Sequence, residues 1–118
     1  MVPSELPMYI AVLLYASSSP DPGYTQTFEE CFMLLRAADD ERARAHAEQH
    51  GRAREASFAN SAGQTVHWKL KHVVDVARVL SDTFEDGSEL YARHFKNYGA
   101  YHAFEPLLGG DIDEGRET

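Results

Sequence analysis

Cysteine is almost missing from this chain. Cys31 is the only one in 118 residues, which excludes an intrachain disulfide framework and any Cys-x-x-Cys motif. Basic residues are scarce as well: 11 Lys and Arg stand against 19 Asp and Glu, a net charge of −8. Duplex phosphates need clustered Lys and Arg, and so do anionic lipid surfaces, so neither nucleic acid nor a membrane is an expected partner. No apolar run approaches the roughly 20 residues that span a bilayer, and the N-terminal "MVPSELP" lacks the basic region of a secretory signal. A cytoplasmic location is expected. No G-x-S-x-G elbow is present, and Gly109-Gly110 lacks the strand–helix context of a phosphate loop. No cofactor is implied.

What remains is ordinary globular material, 43% hydrophobic and 25% charged, enough for one domain without staples. The pattern predicts a flexible leader over 1–7, a single domain over 8–96, an aromatic tail segment over 97–108 and an acidic disordered tail over 109–118. The last eight residues hold four acids and one arginine. "MYIAVLLYAS" (8–17) is apolar on both alternating faces and reads as a central strand. "TFEECFMLLRA" (27–37) reads as a second strand, with Phe28, Glu30, Phe32 and Leu34 on one face and Glu29, Cys31, Met33 and Leu35 on the other. Cys31 fits there as a small hydrophobe; a catalytic thiol would need a histidine partner that the sequence does not assign.

Asp39 or Asp40 then caps a helix running to about Gly51 or on through Ala56, with Asp40 and Glu41 in its first turn. Two strands follow, joined by turn chemistry at Asn60-Ser61-Ala62-Gly63. The second is long enough to call for a bulge or bend. Its even positions are Val66, Trp68, Leu70, His72, Val74 and Val76. After the Asp86-Gly87 turn, "SELYARHF" reads as a last strand. The expectation is an α+β domain: a mainly antiparallel sheet of about five strands with one main helix, in the order ββαβββ. One helix covers one face, leaving the other for the aromatic tail, a second copy or another protein.

In this order and spacing, "YIAVLLY", "EECFMLLRAADDERARAHAEQHG", "SFANSAGQTVHWKLKHVVDV" and "EDGSELYARHF" resemble a small bacterial family known as a domain of unknown function. The closest parts are Asn60 followed by Gly63, the pair Val66 and Trp68, Asp75-Val76, and Asp86-Gly87-x-Glu89-x-Tyr91-x-Arg93-x-Phe95. The resemblance spans Met8 to Phe95. It implies the fold and a bacterial origin and carries no activity. His46 and His50 fall outside the pattern, as does the chain beyond Phe95.

Four groups of residues are candidates for function. His46 and His50 in "HAEQH" are about 40° apart on a helix, with Glu48 about 160° away from either. In a metalloprotease HExxH motif the glutamate adjoins the first histidine, so that reading fails. A zinc site would need a third ligand, and His72 is the candidate, provided it points at the helix. The alternatives are imidazoles bonded to backbone or water at the edge of the helix–sheet interface, or a pH-sensitive interface. Ala43 and Ala47 mark the same helix face for packing.

The stripe Glu89, Tyr91 and Arg93 would hold a ligand carboxylate or a partner's charge; otherwise it is a solvated face with cross-strand pairs such as Arg93 with Asp75. Lys69, Lys71 and His67 form a small basic strip, but Trp68 alternates to the other side, against a stacking platform for single-stranded nucleic acid. Tyr98, Tyr101 and Phe104 recur at helical spacing, between Gly99 and Pro106, which limit such a helix to about two turns.

The leading expectation is a non-catalytic protein–protein interaction module, a small accessory, regulatory or immunity-type protein. Its partner would be another protein or a second copy, with a homodimer as one form. The alternatives are a ligand binder or enzyme built on Glu89, Tyr91 and Arg93, and a metal protein built on His46, His50 and His72.

Overall fold

A computed structural model describes residues 5–81 and 83–105. The chain forms β1 (Met8–Ser18), β2 (Phe28–Arg36), α1 (Asp40–Ala53), β3 (Ala56–Ala59), β4 (Thr65–Arg78) and α2 (Tyr98–Phe104). The strands make one antiparallel sheet in the order β2-β1-β4-β3. The α+β class and the antiparallel sheet are as expected. The strand number is four, and the element order is ββαββα.

The fifth strand expected at residues 88–95 does not form. Its turn does: Gly87 has a φ of 89°, and the Ser88 N–H donates to the Glu85 carbonyl at 2.9 Å. The ladder stops after one backbone bond, from the Leu80 N–H to the Leu90 carbonyl at 3.4 Å. Beyond it, Tyr91 is held by side-chain contacts to the sheet, with its ring 5.7 Å from that of Phe32 and its hydroxyl bonded to Asp75. The segment therefore lies against the sheet instead of extending it.

β1 is central, as its two apolar faces require. Tyr9, Ala11, Leu13 and Tyr15 face α1 and pack with Leu35, Ala37, Ala43 and Ala47 in one buried cluster. Ala43 and Ala47 are fully buried; their small side chains let the helix axis come close to the sheet. Gly51 continues this face. A Cβ there would sit 3.1 and 3.3 Å from the methyls of Leu70 and 3.4 Å from Leu13, so only glycine gives that approach without displacement. The Tyr15 hydroxyl donates to the Gly51 carbonyl at 2.7 Å, which also accepts from the Arg54 N–H at 3.3 Å, so the last turn of α1 is tied to β1. At the other end, Asp39 caps α1 by accepting from the Arg42 N–H at 2.8 Å, and that bond holds its carboxyl below the usual value.

Two connections are fixed by polar side chains. Ser17, fully buried, accepts from the Tyr24 hydroxyl at 2.6 Å and from the Thr27 N–H at 2.8 Å. Asn60 accepts from the Ala62 and Gln64 N–H groups in the β3–β4 turn, where Gly63 takes a φ of 81°. Leu6 and Pro7 are also engaged: their carbonyls accept from Arg36 Nη1 and from the Ala37 N–H.

β4 carries two register shifts against β1, one between Val12 and Leu13 and one between Leu14 and Tyr15. These are the irregularities that its length calls for. Paired residues share a face, so each shift moves a β4 side chain from one face to the other. Trp68 and Leu70 face the helix, opposite Ser17 and Tyr15. After the first shift His72 pairs with Leu14 and faces away; Val73 pairs with Leu13 and faces the helix. After the second, Asp75 pairs with Val12 and faces away.

Candidate interaction surface

The face away from α1 is built in rows across three strands. Phe28, Ala16 and Lys69 form one row, and Glu30, Leu14 and His72 the next. Phe32, Val12 and Asp75 follow, then Leu34, Ile10 and Ala77. The middle of the face is buried, with Val12 1% and Ile10 6% exposed. The β2 side is not: Phe28 is 52%, Phe32 61% and Leu34 50% exposed. Among the described residues β2 pairs only with β1 and is an edge of the sheet. Glu30 interrupts this row between Phe28 and Phe32, a single charge on an otherwise apolar edge of the kind that soluble proteins normally blunt.

Tyr91 is the side chain that crosses onto this face. Its hydroxyl donates to Asp75 Oδ2 at 2.5 Å, and Asp75 Oδ1 accepts from the Val76 N–H at 2.9 Å. Burial, followed by the bond to Asp75, pushes the Tyr91 phenol up, with nearby Arg93 opposing. Thus Tyr91, rather than Arg93, is the observed hydrogen-bond partner of Asp75. Glu89 and Arg93 are exposed. Two clefts in the fold have other linings: one of about 380 Å³ includes Arg36, Arg78 and Ser81, and one of about 260 Å³ is lined by Tyr15, Glu29, Arg54, Ala56 and Trp68.

The three histidines do not come together. His46 and His50 share a side of α1, with ring centroids 6.5 Å apart, and His46 Nδ1 lies 3.1 Å from the Arg36 carbonyl. His72 is on the opposite face of the sheet because of the register shift beside Leu14. Among the described residues no group of three His, Cys, Asp or Glu is placed to hold a metal ion. Cys31 pairs with Leu13 on the helix face, and burial pushes its thiol up, away from the thiolate that nucleophilic chemistry needs. Lys69 and Trp68 lie on opposite faces, so they do not form a stacking platform.

Tyr98, Tyr101 and Phe104 belong to α2, whose cap Asn97 accepts from the Ala100 N–H at 3.0 Å. The Tyr101 ring stacks on Phe95 at 4.9 Å. All four of these aromatics are exposed, and α2 has no buried residue. Leu107, Leu108 and the acidic tail lie outside the described residues. The side chains that sequence reasoning did not single out are Phe28, Phe32 and Leu34. Their alternation is visible in "FEECFMLL"; which of the two alternating faces the helix would take is not.

Three phenols are raised by burial: Tyr9, beside Asp40 and Arg78; Tyr15; and Tyr91. A folded value above the unfolded value of about 10 means that the stabilisation is complete below that pH and is lost as pH rises through the folded values. The expected result is a fall in stability that begins above about pH 10. In a 295 nm titration, three of the six tyrosines should ionise late, together with unfolding. A single early ionisation of all phenols in a chain that stays folded would contradict the burial of these rings.

Among the described residues, no helix is long and apolar enough to cross a membrane. No curated protein and no solved structure matches the chain. A family model described as "Domain of unknown function (DUF4288)" matches residues 8–92, which take in the whole sheet, α1 and Tyr91. The chain belongs to that family.

Proposed function

We propose that this domain is a non-catalytic protein–protein interaction module that docks its partner on the sheet face opposite α1. The observation that carries the reading is the row Phe28, Phe32 and Leu34, each at least half exposed on one strand. Exposed apolar side chains gathered on one face mark association sites, and aromatic anchors dominate the energetics of such sites; here Glu30 stands between Phe28 and Phe32. Tyr91 and Asp75 rim the row and supply a hydrogen-bonding border. The acidic balance, −8 overall, favours a protein partner over a polyanion. A small bacterial accessory, regulatory or immunity-type protein working in the cytoplasm fits these features.

The rival built on Glu89, Tyr91 and Arg93 as a ligand or catalytic site has less support. The Tyr91 phenol is already engaged with Asp75, and Glu89 and Arg93 are exposed.

The test is a photo-crosslinking amino acid placed at Phe32, with a control at exposed Glu41 on α1, in cells expressing the full chain. A discrete protein adduct from position 32 and none from position 41 is expected. No adduct at 32, or the same adducts from both positions, would overturn the reading.

A further inference from the structure

The chain carries a second set of exposed aromatics, and the two sets fit one another. Phe95, Tyr98, Tyr101 and Phe104 form an arm that is ordered within itself, through the Phe95–Tyr101 stack and the Asn97 cap. It has no buried residue, and these side chains are 41% to 70% exposed. The arm follows directly on Tyr91, which lies on the open sheet face beside Phe32. It therefore leaves the domain at the rim of the surface that needs covering, yet its aromatics remain open to solvent. The family match ends at residue 92, before the arm.

We infer that the occupant of the open face is a second copy of this chain, bound by reciprocal exchange of arms. Phe95–Phe104 of each copy lies across Phe28, Phe32 and Leu34 of the other. This rests on the reading of that face as a protein interface. A surface and its complement carried by one chain close into a two-fold dimer in which each contact is made twice. Three side chains on the face and four in the arm, each still exposing on the order of 100 Å², offer up to on the order of 700 Å² per copy, against the roughly 800 Å² of a standard specific interface.

Sedimentation equilibrium of the full chain tests this. The wild type is expected at twice 13.2 kDa in the micromolar range. Phe32→Asp on the face and Phe104→Asp on the arm, both at exposed positions, should each weaken the dimer by at least roughly tenfold. Their circular dichroism, measured on dilute monomer, should match wild type; the melting of Phe104→Asp should match as well, whereas Phe32→Asp also gives up its ring contact with Tyr91. Leu34→Asp and Tyr101→Asp serve as second variants should either of the first two misfold. A wild type that stays monomeric at about 100 µM, or a dimer that the arm variants leave intact, as edge-to-edge pairing of β2 would, overturns the exchange. A monomer that still gives a heterologous adduct from position 32 overturns the exchange alone and leaves the interface reading standing. A monomer with no adduct removes both.

Discussion

Leu13→Ala is expected to destabilise the domain by about 3–4 kcal/mol. Leu13 lies in the central strand with no exposed surface, paired with Cys31 on one side and Val73 on the other. It also borders the close approach of α1 at Gly51, where a Cβ would lie 3.4 Å from a Leu13 methyl. Truncation removes one of the two leucine side chains under Gly51, Leu70 being the other. The helix cannot sink further to close the gap, because Ala43 and Ala47 are already fully buried on the same face. The cavity therefore stays open, which puts the cost near the middle of the range for leucine truncations. Against a total stability of roughly 5–15 kcal/mol, much of the margin goes. Urea unfolding followed by Trp68 fluorescence checks it, and a loss under about 1 kcal/mol would mean that the helix–sheet contact is not the core.

The contrast between what could and could not be read from the sequence lies in how each feature is encoded. The apolar faces of β1, the Asp39–Asp40 capping signal and the Ala43/Ala47 stripe are local patterns, and each produced the element it predicts. The bulges of β4 were expected from length alone, but their positions depend on pairing with β1. That pairing sends His72 to the far face and dissolves the His46–His50–His72 convergence that strict alternation suggests. The last strand failed for a related reason. "EDGSELYARHF" has the turn and the alternation of a hairpin arm, yet Tyr91 bonds Asp75 and packs on Phe32 across the sheet. Such a contact joins three distant stretches and leaves no periodic trace. The open row had the opposite difficulty. Phe28, Phe32 and Leu34 alternate as plainly as Cys31, Met33 and Leu35, and only the placement of α1 decides which set is covered.

That decision is the central claim, and adjacent residues of β2 test it. Leu35 faces the helix and is 6% exposed; Leu34, its neighbour, faces away and is 50% exposed. An aspartate at position 35 places a carboxylate in the apolar cluster with no partner, a burden of several kcal/mol beyond the lost leucine. Leu35→Asp is therefore expected to unfold the domain or to cost at least about 4 kcal/mol. An aspartate at 34 remains in water, and its expected cost is within about 1 kcal/mol. The measurement is the urea midpoint of both variants at sub-micromolar protein, where association adds little by mass action. A folded Leu34→Asp beside an unfolded Leu35→Asp is the predicted result. Equal loss of stability in the two would contradict the account, because it would mean that the face opposite α1 is sealed within the monomer and is not a surface for a partner.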